Sequence, residues 1–174
     1  MRVIGGEFGS RVLKSVPGLD TRPTPARLRE ALFNVVAPRI EGAVFADLYA
    51  GTGAVGIEAI SRGASRAIFI EAGHAALRVL RDNLKTLGIE NRSTVRQSRA
   101  ASLISGLQAD IIFFDPPYEA ENEYEKILTA LGETDALVIA QHSTRLKLRE
   151  AYGDLKRTHV IKQGDNALSF FDRA

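Results

Sequence analysis

The stretch AVFADLYAGTGAVG, from Ala43 to Gly56, restricts the fold more than any other part of the chain. An apolar run leads into Gly51, Gly53 and Gly56, spaced as GxGxxG, and VGIEAISRG continues as a short helix closed by Gly63. Strand, glycine turn and helix in that order form the opening of a βαβ unit. Missing side chains at Gly51 and Gly53 let the backbone turn sharply and approach a bound molecule. The helix N-terminus behind them offers free N–H groups. In an open parallel sheet such a turn lies beyond the carboxyl ends of the strands, where ligands bind.

The same alternation continues downstream. RAIFIE reads as a second strand, and HAALRVLRDNLKTLG places Leu77, Leu80, Leu84 and Leu87 on one helical face before a Gly88 stop. STVRQ, DIIFF and ALVIAQ read as further strands, with short helices at AASLISGL and at about Tyr124 to Leu131. Near-continuous apolar strands alternating with helices predict a parallel sheet covered on both faces. RTHVIKQ and ALSFFDR, joined by GDN, predict a closing antiparallel hairpin. The expected fold is α/β: a seven-stranded, mostly parallel sheet with helices on both faces and a C-terminal hairpin.

Residues 1–40 read differently. Two β-prone runs around a glycine turn suggest a hairpin, PGLDTRPTP a loop, and Thr24-Pro25 the N-cap and first position of a helix that Pro38 stops. This segment is expected to be a small appendage to a main domain spanning 41–174. It holds seven Arg or Lys against three acids, +4 of a chain whose net charge is +2, which is how a polyanion-binding surface appears in sequence. The 45% apolar and 25% charged residues are those of an ordinary globular protein. The absence of cysteine excludes disulfides, thiolate metal sites and cysteine nucleophiles. With no export signal pattern and no long apolar run, the expectation is a cytoplasmic protein that does not enter membranes.

Two acids accompany the glycine turn. Glu71 ends the second strand, twenty residues after Gly51, where a carboxylate can accept from both ribose hydroxyls of an adenosine. That pair fits a nicotinamide dinucleotide as well as any other adenosine compound. Asp47 leans away from the dinucleotide: a fixed negative charge there repels a pyrophosphate and attracts a sulfonium or ammonium group. An Asp capping the loop is the bland alternative.

IIFFDPPYE supplies what the glycines lack. Asp115, Pro116, Pro117 and Tyr118 follow a buried strand directly, at the lip of the same crevice. An exocyclic amine on a nucleobase is a poor nucleophile because its lone pair is delocalised into the ring. Acceptors that orient its hydrogens restore lone-pair density towards a methyl donor. Asp115 offers a carboxylate and Pro116 a carbonyl, the two prolines stiffen the turn, and Tyr118 offers a face on which a base can stack. His74, His142 and His159 are scattered, without metal-ligand spacing, so no metal is expected.

DLYAGTGAVGIEAISRGA with IFIE and DPPY resembles the Rossmann-like class I S-adenosylmethionine-dependent methyltransferases. The leading RVIGGEFGSRVLKS and RPTPARLREALFN are similar to the RsmD family, which methylates the exocyclic N2 of a guanine in bacterial 16S ribosomal RNA. The resemblance implies S-adenosylmethionine as cofactor and S-adenosylhomocysteine as product, with contacts at Asp47, Tyr49, Gly51, Gly53 and Glu71. It implies target-amine contacts from Asp115 to Tyr118, and a loop and helix (Arg22, Thr24, Arg29, Phe33, Asn34) that close over the cofactor and touch RNA. Arg29 and Arg22 can pair a phosphate or the cofactor carboxylate, or a nearby acid; Arg2, Arg11 and Arg27 complete the expected RNA contacts. Two positions depart from the family's pattern: Arg99, where an Asp or Asn usually meets adenine, shifts that contact to Ser98 or a backbone carbonyl, and Gln141 stands where Glu is frequent. The partner expected is 16S ribosomal RNA, the small subunit or an assembly intermediate, met by a monomer. Adenine-N6 methylation, a dehydrogenase that uses NAD, and a non-catalytic RNA-binding factor are the competing readings. The chain is short for a separate DNA-recognition domain, and the dehydrogenase reading leaves the Asp115 motif idle.

Overall fold

The computed structural model describes residues 1–18, 24–117 and 119–174. Its centre is an eight-stranded sheet in the order β3-β2-β1-β4-β5-β8-β7-β6. The strands are β1 (Val44–Asp47), β2 (Arg66–Ile70), β3 (Ser93–Arg96), β4 (Ile111–Phe114), β5 (Leu137–Ser143), β6 (Ala151–Tyr152), β7 (Leu155–Gln163) and β8 (Asn166–Arg173). The first five run parallel, and β8 and β7 continue the sheet antiparallel. Strand order reverses between β1 and β4, so the ends of β1, β2 and β4 frame a switch-point crevice. Asp47 stands opposite both Phe69 and Phe113, and Phe114 opposite Ala140.

Helices α1 (Ala26–Ile40), α2 (Ala54–Ser61) and α3 (His74–Leu87) cover one face; α4 (Ala100–Leu103) and α5 (Asn122–Ala130) cover the other. The strands supply both cores by alternation. Phe45, Phe113 and Ile139 point towards α1, whereas Ala46, Ile112, Phe114 and Val138 point towards α5. This two-sided burial is why the strand sequences are apolar throughout. The predicted α3 stripe of Leu77, Leu80, Leu84 and Leu87 is buried, and Gly88 closes the helix in the left-handed conformation at φ +69°.

Local differences from the sequence expectations have simple causes. The eighth strand, β6, is two residues long and pairs only with the start of β7, too short for any periodicity. Helix α1 runs through Pro38 to Ile40; the exposed ring sits in the last turn, and the buried Ile40 side chain holds the end in place. Pro25, not Thr24, occupies the cap of α1, because the Thr24 hydroxyl is bonded elsewhere. The N-terminal hairpin reduces to one antiparallel bridge, Arg2 to Val12. The Ile4 and Gly5 N–H groups, which a longer ladder would use, donate instead to Glu58 of α2 at 2.8 and 3.0 Å. Val3 and Leu13 pack into the same cluster as Ile57 and Leu80, so the arm is seated on α2 and α3.

Candidate active site

The glycine turn is built as the crevice requires. Gly51 has φ +57°, and a Cβ there would meet nothing within 4 Å: its backbone floors an open space. Gly56 is needed for the opposite reason, since a Cβ would come within 2.4 Å of the Phe69 ring and push α2 off β2. Glu71 spans the mouth. Its Oε1 accepts from the Gly51 N–H at 2.7 Å and its Oε2 from the Gly73 N–H at 2.7 Å. The carboxylate is thereby aimed across the turn, and each oxygen keeps a lone pair for a hydroxyl.

A cavity of about 370 Å³ opens beside it, lined by Tyr49, Glu71, Ser98, Arg99, Pro117 and Glu123 among others. That is within the size range of small-molecule sites. A wider groove of about 750 Å³ lies at the amino ends of the strands, along Val44, Ile111 and Ala136. It is remote from both motifs, and the glycine turn and the Asp115 lip single out the smaller cavity.

Asp47 ends β1 and is 2% exposed. Burial pushes its carboxyl up from 3.8 to about 8; the Tyr49 N–H, donating to Oδ1 at 3.2 Å, partly offsets this, while the charges of Asp115 and Glu71 add to it. A cationic group placed here would relieve the carboxylate. Asp115 follows β4, with Pro116 buried and Pro117 exposed on the cavity wall. The influence of Asp115 is also felt at Tyr124, whose hydroxyl is pushed up first by burial and then by that charge. Tyr118 and Arg22 lie outside the described residues.

The predicted cofactor residues therefore divide. Tyr49, Glu71 and Ser98 meet Pro117 around one cavity, with Asp47, Gly51 and Gly53 on the adjoining strand end and turn. Arg29 and Thr24 belong to the α1 side. Arg29 is 1% exposed; its Nε lies 3.4 Å from Glu58 Oε1 and its Nη2 donates to the Arg2 carbonyl at 2.6 Å. Its Nη1 is buried without a partner among the described residues, an orphaned donor of the kind an anionic ligand group satisfies. Phe33 is 1% exposed and packs against Phe45 with Arg62 over its ring, so it is a core residue and cannot touch RNA. Arg2, Arg11 and Arg27 are exposed. Arg99 lines the cavity and is exposed, where the sequence left the adenine contact in question.

Two site residues escaped the sequence reading. Glu123 accepts from the Tyr49 hydroxyl at 2.9 Å and so ties the turn after β1 to α5; an acid in the first turn of a helix gave no warning of that role. Glu58 is fully buried, receives the Ile4 and Gly5 amides, and pairs with Arg29 and with Arg62 at 2.8 Å. Its signal was visible: it is the one charged residue in AVGIEAIS.

A doubly wound sheet with a glycine turn, an acid bonded across that turn and an Asp-Pro-Pro segment after β4 is the fold of the class I S-adenosylmethionine-dependent methyltransferases. The chain belongs to the RsmD family: the model described as "Conserved hypothetical protein 95" matches residues 1–172. It is similar to the Bacillus subtilis "Putative rRNA methyltransferase YlbH", 34% identical over 185 residues and 99% of both chains. It is also similar to "Ribosomal RNA small subunit methyltransferase D" of Escherichia coli, 40% identical over 119 residues, 68% of this chain and 60% of that protein. Among solved structures, "Putative methyltransferase yhhF from Escherichia coli" superimposes with a TM-score of 0.88 at 33% identity, covering 99% of this chain and 97% of that one.

Proposed function

We propose that the protein transfers a methyl group from S-adenosylmethionine to the exocyclic N2 of a guanine in 16S ribosomal RNA, acting as a cytoplasmic monomer on the small subunit or a precursor of it. The observation that supports this reading is that Glu71, bonded to the Gly51 N–H of the glycine turn, and Pro117 of the acidic lip line one cavity near the strand-order reversal. Glu71 holds the ribose hydroxyls, Ser98 and the adjacent backbone meet the adenine edge, and Asp47 faces the amino group. The cofactor supplies an electrophilic methyl on a sulfonium.

Asp115 and the Pro116 carbonyl accept the two hydrogens of the guanine N2, turning its lone pair away from the ring. Closed off by the stiff proline turn, the lip needs no reorganisation when charge develops on nitrogen. Asp115 stabilises the cationic amine and leads its proton towards solvent. The prolines contribute no competing N–H donors. Tyr118 stacks on the flipped base, and Arg2, Arg11, Arg22 and Arg27 hold phosphates around it.

The test is transfer of labelled methyl to unmethylated 16S RNA, to assembled small subunits and to DNA, followed by mass mapping of the product. Methylation of a guanine N2 in either ribosomal substrate supports the proposal. Methylation of adenine N6, or transfer to DNA alone, replaces it with the rival chemistry.

A further inference from the structure

Strand β5 contains an anomaly that methyl transfer as described leaves unused. After the buried apolar run Leu137 to Ala140 it carries Gln141, only 5% exposed. A buried amide is costly unless its polar atoms are bonded. The Thr24 hydroxyl, itself 7% exposed, donates to Gln141 Oε1 at 3.0 Å across 117 residues of sequence. On the other side of the strand, the Tyr124 hydroxyl donates to the Gln141 carbonyl at 2.6 Å.

These donors come from the two flanks of the lip. Thr24 stands immediately ahead of α1, whose first turn presents the exposed Arg27. Tyr124 lies in the first turn of α5, just after the DPPY segment, and its ring packs 5.6 Å from that of Phe114, the residue before Asp115. The register ends at the Phe114–Ala140 pair, and Gln141 and Asp115 are each the next residue after it on their own chain segments. One residue thus receives a bond from the RNA-facing segment through its side chain and a bond from the lip-bearing segment through its backbone.

We propose that Gln141 is a positioning residue for methyl transfer, clamping the start of α1 and the start of α5 to β5 so that the RNA-gripping segment and the amine-orienting lip keep a fixed separation. Thr24 then serves as the anchor of that clamp, its hydroxyl committed to Gln141. The inference rests on the methyl-transfer reading for its consequence, though the coupling of the two flanks stands on geometry alone.

The test compares wild type with Thr24→Val, Gln141→Leu, the double variant and Gln141→Glu, using unmethylated small subunits as acceptor. Each single removal of the bond should raise KM for the acceptor about tenfold, the equivalent of one buried hydrogen bond. The dissociation constant for S-adenosylhomocysteine should stay within about twofold, and the double variant should be no worse than either single one, because both remove the same bond. Gln141→Glu keeps an acceptor for Thr24 and should restore activity to within about threefold of wild type. In hydrogen exchange, Gln141→Leu should speed amide exchange in the first turn of α1, and Tyr124→Phe, which removes the bond to the Gln141 backbone carbonyl, should speed it in the first turn of α5. Additive losses, weakened S-adenosylhomocysteine binding at unchanged KM, or unchanged exchange at both flanks would overturn the proposal. If the wild type methylates no RNA at all, the proposed function fails instead, and the exchange comparison alone decides whether Gln141 couples the flanks.

Discussion

Replacing Asp47 by Asn should make the protein more stable while weakening its hold on the proposed cofactor. The carboxyl is 2% exposed and titrates near 8 in the fold against 3.8 outside it. At pH 7 the folded protein must therefore keep a proton that the unfolded chain has released. The roughly three pH units between 3.8 and 7, at about 1.4 kcal/mol each, put that penalty on the order of 4 kcal/mol. The sign follows from the raised value: the penalty is absent below about pH 4, grows as pH rises, and levels off once the folded carboxyl itself ionises near 8.

Asparagine mimics the protonated acid, and its Oδ1 can still accept from the Tyr49 N–H, which meets Asp47 Oδ1 at 3.2 Å. Urea denaturation of both proteins from pH 4 to 9, without cofactor, should show a stability gap opening at up to about 1.4 kcal/mol per pH unit and flattening near 8. Calorimetry should show S-adenosylhomocysteine affinity falling about a hundredfold in the variant, since the amino group loses a desolvated anion. In the wild type, binding should release close to one proton at pH 7. A stability gap that stays constant between pH 5 and 8 would refute the reasoning, because an acid ionised throughout that range costs the same everywhere.

Other substitutions probe separate parts of the site. Asp115→Ala should abolish methyl transfer while RNA binding, read by filter retention, persists; equal activity would contradict the amine-orienting role. Glu71→Ala should weaken cofactor binding about a hundredfold by removing the ribose acceptor and loosening the Gly51 and Gly73 amides that meet it at 2.7 Å, as calorimetry would report. Glu58→Ala should cost about 3–5 kcal/mol in urea denaturation, because it strands Arg29 and Arg62 without their buried partner. Exchanging both Arg11 and Arg27 for Glu should weaken RNA binding and lower the slope of log affinity against log salt by about two, one for each phosphate no longer neutralised.

The β1–turn–α2 unit, the alternation of apolar strands with helices, and the closing antiparallel hairpin were legible because each is written in contiguous residues. Local spacing determines them: apolar runs for strands, leucines at helical intervals for α3, glycines where a Cβ would strike Phe69 or block an open floor. What stayed hidden depends on partners far away in sequence. Nothing near Thr24 reveals Gln141, 117 residues on, so a good N-cap residue was assigned to a cap it does not make. Phe33 lies in a stretch the family resemblance assigned to RNA, yet its ring belongs to the core with Phe45. For Arg29 the sequence left a phosphate, the cofactor carboxylate and a nearby acid open; only the fold brings Glu58 to within 3.4 Å.

Glu58 also changes how the basic arm should be understood. As a loosely tethered hairpin, residues 1–13 could only sweep the surface for RNA. Instead their backbone donates to a carboxylate one turn into α2, the Phe8 N–H donates to Ser61 Oγ, and Ser61 Oγ in turn donates to the Gly5 carbonyl. Helix α2 begins at the glycine turn. The arm is therefore bonded directly to the helix that follows the glycine turn, with no intervening loop. Under the proposed function, the arm offered to RNA and the turn offered to the cofactor are fastened to the same two turns of helix.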